Sequence, residues 1–383
     1  MLHSQMQSFK HLRLYPKKGL LHLHLHLHLQ PSTLSPKCKH TSLASQQRHQ
    51  HSFAVSYLIN NCAFSPETAL RASKCLRFKT PQQPDSVIAF FRANGFTTSQ
   101  INTILKSAPK VLTCDPHKRV SPKFQFLRSK GASTSDIVKL VSKSPRIFYS
   151  SLENSVIPVF ECVRRFFPSD KDTVDHILSC PHFFGQKRAV RNVKLLQDNG
   201  VSNSNIYHLL RDRTSVLLSY AMEKAVEEVK EMGFETSKRK FVIALVAKRA
   251  VSKRGWDAKV EAFKRWGWSE EMVLDTFRRQ PLLMLNSEDK INRVMEFWVD
   301  RLGWDSLALA RKPEMFGFSL EKRVIPRAFV VQCLIAKGLR KKDSNLFAPF
   351  HVSDKLFLEK YVNCFQRDRD QLLKVYKEKM NVP

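Results

Sequence analysis

Apolar residues recur at helical spacing along the middle of the chain, and the pattern returns after 36 residues. Ile101 and Leu105 are followed by Ile137 and Val141 at the same offsets. An i, i+4 spacing places each pair on one helix face. Turn residues keep the same period, at Gly95 and Gly131, Pro109 and Pro145, and Pro122 and Pro158. Three markers at one period indicate an internal repeat.

Each repeat predicts three helices. A polar cap opens the first helix: Thr97 with Gln100 fits a capping box, whereas Ser133 with Asp136 fits it only loosely. The first helix ends at a proline, because proline cannot continue a helix but suits the first turn of the next one. A short middle helix and a third helix follow, and the third closes on the next glycine.

The repeat continues through seven units. Pro181 keeps the period in the third unit, Thr214 replaces the proline in the fourth, and the fifth has none. In the seventh unit Pro313 comes four residues early, which predicts a shorter middle helix. The later units open at Gly200, Gly233, Gly267 and Gly303, and Gly338 closes the last. The predicted fold is all-α, a solenoid of about seven to eight three-helix repeats of 33–36 residues, without a sheet.

The segment before residue 67 differs in composition from the repeats. It contains no Asp or Glu, yet it holds seven Lys or Arg together with many Ser, His and Gln. This composition is typical of an organelle transit peptide. We therefore predict a transit peptide and low-complexity leader over 1–54, a helical lead-in over 55–84, the repeat array over 85–340 and a helical tail over 341–383. A His-rich tract over 21–29 could bind metal, but we interpret it as part of the leader.

The charge balance points to a polyanionic partner. The net charge is +30 at pH 7, and without the seven basic residues of the leader it is still +23. Nucleic acid, an anionic membrane or an acidic protein could each match it. No apolar run approaches the roughly 18 to 20 residues that span a bilayer, and the cysteines lack zinc-ligand spacing. No catalytic or nucleotide-binding motif occurs, so we expect no enzyme, no cofactor and no metal.

Basic residues recur at fixed offsets from the residue that opens each unit, and a fixed offset becomes a stripe along a solenoid. Offsets 11 and 12 hold Lys106, Lys143, Arg211, Arg278 and Arg279; offset 15 holds Lys110, Arg146, His182 and Lys248; offsets 23 and 24 hold Lys118, Arg119, Arg191, Lys224, Lys290 and Arg327. Such stripes could meet the phosphates of a nucleic acid charge by charge. The predicted nucleic-acid-binding set is Lys106, Lys110, Lys143, Arg146, Arg191, Arg211, Lys248, Arg278, Arg279 and Arg327.

Two simpler interpretations compete with this one. The basic residues could be solvated helix ends that the helix dipole favours. The five tryptophans, which could stack on bases, are interpreted as core residues because several flank the turn glycines.

The repeat resembles a known family. Units of this length, with the glycine, the capped helix, the proline and a second proline 13 residues later, resemble the mitochondrial transcription termination factor family over about residues 85–340. The acid-free leader and the FFRANGF stretch from Phe90 to Phe96 resemble plant members. The resemblance implies a left-handed superhelix whose concave basic face holds nucleic acid, in the mitochondrion or, as the alternative, the chloroplast. It implies a role in transcription termination or initiation, intron splicing or ribosomal RNA maturation.

The leading hypothesis is a monomeric, organellar nucleic-acid-binding regulator of transcription, with double-stranded DNA favoured as its ligand. The first alternative is an RNA-binding factor for splicing or ribosomal RNA maturation; organelle transcription or splicing proteins are further candidate partners. The alternative from another class is a helical-repeat adaptor that binds protein, which the strongly basic repeats argue against. Pentatricopeptide-type RNA binders have two helices per unit and no prolines 13 residues apart, so we do not favour them.

Overall fold

The structure is a computed structural model that describes residues 53–341 and 345–380. All regular elements in these ranges are helical, and they contain no strand. The predicted leader falls outside the described residues except for Phe53 and Ala54, and the His-rich tract falls outside them entirely. The lead-in forms the helices Phe53–Cys62, Pro66–Ser73 and Gln82–Ala93.

Each of the seven units begins with a helix. The first helices are Thr98–Ser107, Thr134–Lys143, Asp170–Ser179, Asn203–Arg213, Arg239–Ala250, Glu270–Arg279 and Ser306–Arg311. In six of these units an oxygen-bearing side chain accepts a hydrogen bond from a first-turn backbone N–H, which caps the helix. The capping residues are Thr97, Ser133, Ser169, Ser202, Ser269 and Asp305.

The second capping box is complete, so the prediction of a loose fit was wrong. Ser133 Oγ accepts a hydrogen bond from the Asp136 backbone N–H at 3.1 Å. The Asp136 carboxylate accepts one from the Ser133 N–H at 3.0 Å. The shorter aspartate therefore serves as well as the glutamate or glutamine of the usual motif.

The middle helices have 3₁₀ geometry. They are Pro109–Thr113, Pro145–Tyr149, Pro181–Phe183, Thr214–Leu218, Pro281–Leu285 and Pro313–Gly317. In unit seven the early Pro313 shortens the first helix to six residues, while the middle helix keeps five. The prediction of a shorter middle helix was therefore wrong, because proline lacks a backbone N–H and so ends the helix that precedes it.

Unit five has no middle helix. Without a proline its first helix runs for 12 residues, from Arg239 to Ala250. This helix is buried on most sides, through residues such as Phe241, Val242 and Leu245. The expectation of three helices in each unit thus fails here, while the all-α repeat fold is confirmed for the array.

Six of the seven third helices lead into a glycine with positive φ, and Ile157–Arg164 is the exception. The third helices comprise Ser121–Ser129, Ile157–Arg164, Lys187–Asp198, Met222–Glu231, Lys253–Lys264, Glu288–Glu296 and Ile325–Ala336. At the end of unit five, Gly267 has φ +85°, and the Trp268 N–H donates to Phe263 O at 3.3 Å. This is the Schellman pattern, which needs a residue with positive φ.

Gly267→Ala is expected to lower the free energy of unfolding by about 1 kcal/mol, since an L side chain is strained in the left-handed region. Nothing lies within 4 Å of an added Cβ at this position, so the effect reports the backbone alone. Gly267→Asn is the matched control, because Asn tolerates this region better than Ala. Urea unfolding should rank the Asn variant above the Ala variant; the reverse order would contradict the backbone argument.

A continuous apolar core joins the units. It extends from the lead-in helices to Phe350, and a smaller cluster joins the last third helix to the tail. Trp298 is fully buried and Trp268 is 2% exposed. The other three tryptophans pack against the same core, which confirms that the tryptophans are core residues.

The tail after Gly338 forms a partial eighth unit. Its helices are Ala348–His351, Asp354–Leu358 with a π-helical continuation Glu359–Asn363, and Arg369–Met380, which packs against Ile325–Ala336. Arg327 joins the array to this tail. Its side chain is 0% exposed, it donates to the carbonyl oxygens of Pro349 and Val352 at 2.8 Å each, and it pairs with Asp354. The buried guanidinium is inaccessible to nucleic acid, so its prediction as a ligand was wrong.

Candidate nucleic-acid interface

The first helices bring basic residues to one edge of the array. They pack side by side between units one and two, two and three, four and five, five and six, and six and seven. Because each unit has the same helix order, the C-terminal ends of these helices follow one edge. Six of the seven first helices carry Lys or Arg in the last turn. We define the basic edge as Lys106, Lys110, Lys143, Arg146, Arg211, Arg213, Lys248, Arg249, Arg278, Arg279, Arg311 and Lys312.

The basic-edge cations of units one and two have no side-chain partners among the described residues. Lys106, Lys110, Lys143 and Arg146 are all exposed. Within the described residues none of the four side chains takes part in an ion pair or hydrogen bond. A free, solvated cation can neutralise a phosphate without first breaking a contact inside the protein.

Tyr149 lies among these cations and was not singled out from the sequence. Its side chain is 44% exposed and follows Arg146 in the middle helix of unit two. Burial of its ring raises the pKa of the phenol, while the neighbouring Lys110 backbone and Arg146 lower it. An exposed aromatic ring beside free cations can stack on a base.

Arg211 and Lys248 are held by acidic residues. Arg211 Nε lies 2.9 Å from Asp212, and this pair raises the pKa of the guanidinium. Lys248 Nζ lies 3.4 Å from Glu228 and 4.8 Å from the centre of the Trp256 ring. Unit five lacks a middle helix, so Lys248 sits in the last turn of a long helix and is only partly exposed.

Unit six holds its two arginines by different contacts. Arg278 Nε donates to Met232 O at 2.7 Å and its Nη1 to Asp275 at 2.6 Å. Arg279 is exposed, and its Nε donates to the Asp275 backbone oxygen at 3.3 Å. Arg278 therefore links units four and six structurally, whereas the Nη atoms of Arg279 have no partner in the described residues.

Unit three interrupts the row of cations. The basic residue in the last turn of its first helix is His176, which is 8% exposed. Burial lowers the pKa of this imidazole to about 4, so it is neutral at pH 7. His182, after the proline, is exposed.

Protonation of His176 is expected to destabilise the fold in acid. Its folded-state pKa lies below the unfolded value of about 6.5, so the unfolded chain binds the proton more tightly. The contribution of neutral His176 to the free energy of unfolding is complete above about pH 6.5 and is lost as the pH falls toward 4. Between pH 7 and 5 the free energy of unfolding should fall by about 2 kcal/mol. His176→Phe, which keeps a ring against Phe167, should flatten this part of the pH profile of urea unfolding. An unchanged slope would show that other groups cause the acid sensitivity.

The remaining residues of the predicted set lie elsewhere. Arg191 is exposed, but it belongs to the third helix Lys187–Asp198 and not to the basic edge. Arg327 is buried beneath the tail.

Four further basic residues of the edge escaped the sequence analysis. Arg311 and Lys312 end the first helix of unit seven, Arg213 ends that of unit four, and Arg249 follows Lys248 in unit five. The offsets were counted from the opening glycine, and the early Pro313 shifts the helix end relative to that glycine. Counting back from the proline, or from Thr214 in its place, would have found Arg213, Arg311 and Lys312.

Two other kinds of site are absent from the described residues. No helix there is long and apolar enough to cross a membrane. Residues 53–341 and 345–380 also contain no group of three or more His, Cys, Asp or Glu side chains that could hold a metal ion.

The protein is therefore an α-helical repeat protein, and the basic edge gives one side of the array a positive charge. The mTERF family matches residues 88–251 and 249–358, which together make up more than half of the chain, and the chain belongs to this family. A mitochondrial transcription termination factor of Arabidopsis thaliana, MTERF15, is 25% identical over 126 residues. The match covers 32% of this chain and 28% of that relative. The resemblance to the mitochondrial transcription termination factor family, of plant organellar type, is thereby confirmed.

Proposed function

We propose that this protein binds nucleic acid along its basic edge and regulates organelle transcription as a termination-type factor. Double-stranded DNA is the favoured ligand. The observation that carries the proposal is the row of exposed cations in units one and two that have no partner in the part of the chain that the structure describes, Lys106, Lys110, Lys143 and Arg146. Membership in the mTERF family supports the same assignment.

The spacing of the units suits a polyanion. Packed helices lie about 8 to 10 Å apart, which is close to the Debye length of roughly 8 Å at physiological salt. The fields of cations in neighbouring units therefore overlap and add along the edge. A phosphate backbone that follows the edge would meet a cation at each unit except the third and release condensed counterions as it binds.

The second candidate is an RNA-binding factor for splicing or ribosomal RNA maturation. Tyr149 favours it, because an exposed ring among cations suits the unpaired bases of single-stranded RNA. In either case we propose a monomer that acts by binding, without catalysis. Organelle transcription or splicing proteins are further candidate partners.

We propose the mitochondrion as the location, with the chloroplast as the alternative. The acid-free leader predicted over 1–54 supports an organelle, and the Arabidopsis relative is named as mitochondrial. A fluorescent protein fused to residues 1–54 should enter mitochondria, and cytosolic fluorescence would contradict the proposal.

Crosslinking in the organelle tests the ligand. The tagged full-length chain is crosslinked in intact organelles, and the DNA and RNA it retains are sequenced. Enrichment of discrete DNA sites, with transcript ends displaced when the protein is depleted, is the expected result. Enrichment of introns or ribosomal RNA would favour the second candidate. Recovery of protein partners without nucleic acid would replace both with the adaptor alternative.

A further inference from the structure

An imidazole lies between two guanidinium groups where units four and five meet. His208 Nδ1 is 3.4 Å from Arg211 Nη2, and His208 Nε2 is 3.1 Å from Arg239 Nη1. His208 and Arg211 belong to the first helix of unit four, and Arg239 begins the first helix of unit five. His208 is partly exposed, and both arginines are exposed, so a ligand can reach the cluster.

The hydrogen bonds within this cluster cannot all be satisfied by its own members. A guanidinium only donates, and a neutral imidazole has one donor and one acceptor nitrogen. In one of the two contacts of His208, the imidazole N–H therefore faces a guanidinium N–H, so that two donors meet. Asp212 already accepts two bonds from Arg211, at 2.9 Å each. Arg239 has no acidic partner among the described residues, so the cluster carries uncompensated positive charge.

The position of Arg239 is specific to unit five. Its first helix begins six residues after Gly233, whereas the first helices of the other units begin three residues after their opening position. In the other units the sixth position is buried, and it is apolar in all of them except unit three, which has Thr173; Ile101, Ile137 and Val273 are examples. A longer turn in unit five thus replaces a core residue with an exposed arginine, directly opposite His208.

We propose that His208, Arg211 and Arg239 form a binding site for a phosphate group. Phosphate oxygens only accept hydrogen bonds at the atoms that would face the cluster, so one anion satisfies both guanidiniums and the imidazole. The expected source is a phosphodiester of the bound nucleic acid, and to that extent the site rests on the proposed function. Free inorganic phosphate offers the same chemistry.

Binding at this site is coupled to a proton. In the free protein burial lowers the pKa of His208, and Arg239 and Arg211 lower it further, against an opposing effect of Asp212. Within the described residues those three are the charged groups that act on the imidazole, two from its own helix and Arg239 from the next unit. A phosphate beside the ring favours the imidazolium, so the pKa is higher in the complex than in the free protein.

The sign of the pH effect follows from that difference. The complex binds more protons than the free protein, so affinity rises as the pH falls through the pKa of the complex and is flat above it. Below both pKa values, each unit of difference tightens binding about tenfold. A phosphodiester does not titrate in this range, so His208 is the group at the contact that changes charge.

Inorganic phosphate tests the site without nucleic acid. Sodium phosphate should raise the midpoint of thermal unfolding of the full chain above that in sodium chloride of equal ionic strength. His208→Gln should reduce this phosphate-specific shift, and Arg239→Gln should abolish most of it. Arg254→Gln is the matched control, because Arg254 is exposed and its side chain has no partner among the described residues. Equal midpoints in phosphate and chloride, or equal shifts in all variants, would overturn the site.

The pH profile of nucleic-acid binding identifies the source of the phosphate. At constant ionic strength the parent should bind a labelled duplex more tightly at about pH 5.5 than at about pH 8, and His208→Gln should lose this difference. Comparison with the variant removes the contribution of the other histidines. A positive phosphate result with identical pH profiles would assign the site to free phosphate and refute the nucleic-acid source. A chain that bound no nucleic acid would refute the proposed function and leave the phosphate result to decide the site.

Discussion

Replacing Lys106, Lys110, Lys143 and Arg146 with Gln is expected to reduce the slope of log affinity against log salt by about 3 to 4 for duplex DNA. Each phosphate contact contributes about 0.9 to that slope, through released counterions. The four side chains are exposed and have no partners to lose within the described residues, so the fold should remain intact. The measurement is a titration of labelled duplex at several salt concentrations, with circular dichroism to confirm folding.

The control must remove the same charge from side chains that are equally free. Lys130, Lys171 and Lys337 do not qualify, because each binds an acidic residue at 2.6 to 3.6 Å. The control residues are exposed tail lysines without side-chain partners in the described residues, Lys355, Lys360, Lys374 and Lys377. If this quadruple variant lost as much slope as the first, binding would be diffuse charge attraction and the basic edge would not be the interface.

The repeat fold was predictable because its signals are local. Glycines that need positive φ, helix caps and prolines that end helices act within a few residues, and each was repeated often enough to define a period. The errors arose where one signal was missing or shifted. Unit five, which has no proline, has a longer first helix and no middle helix, whereas the early Pro313 shortened the first helix of unit seven.

The candidate site was less predictable, because the fate of a cation depends on residues from other units. Glu228 lies 20 residues before Lys248 in sequence, and the offset of Lys248 carries no information about this partner. Arg278 reaches a carbonyl oxygen two units away. A periodic offset thus predicts which side of the solenoid a residue occupies and leaves open whether its charge is free.

Arg327 shows that a periodic offset also does not tell whether a basic residue is buried. Polar residues of other third helices also donate to backbone oxygens at the middle helix of the next unit: Asn192 to Leu217 and Ser219, and Lys259 to Met284. The middle helices end in carbonyl groups that need donors. A basic residue at this place in the repeat is therefore as suited to joining units as to binding phosphate.

Arg327→Met is expected to lower the free energy of unfolding by about 3 kcal/mol. Methionine keeps an unbranched apolar stem but leaves the carbonyl oxygen of Pro349 without its guanidinium donor, while that of Val352 keeps only Arg323. It also removes the cation from the Phe357 ring, whose centre lies 4.7 Å from Arg327 Cζ. The last helix Arg369–Met380 should then lose hydrogen-exchange protection before the array does, because its core is a separate cluster.

Arg367→Met is the matched control for this variant, since Arg367 is exposed and its side chain has no partner within the described residues. It should unfold at the same urea concentration as the parent. Below its unfolding midpoint, Arg327→Met should keep the parent's salt slope for nucleic acid, because the buried guanidinium makes no phosphate contact. A variant of normal stability with a reduced salt slope would reverse both conclusions and return Arg327 to the interface.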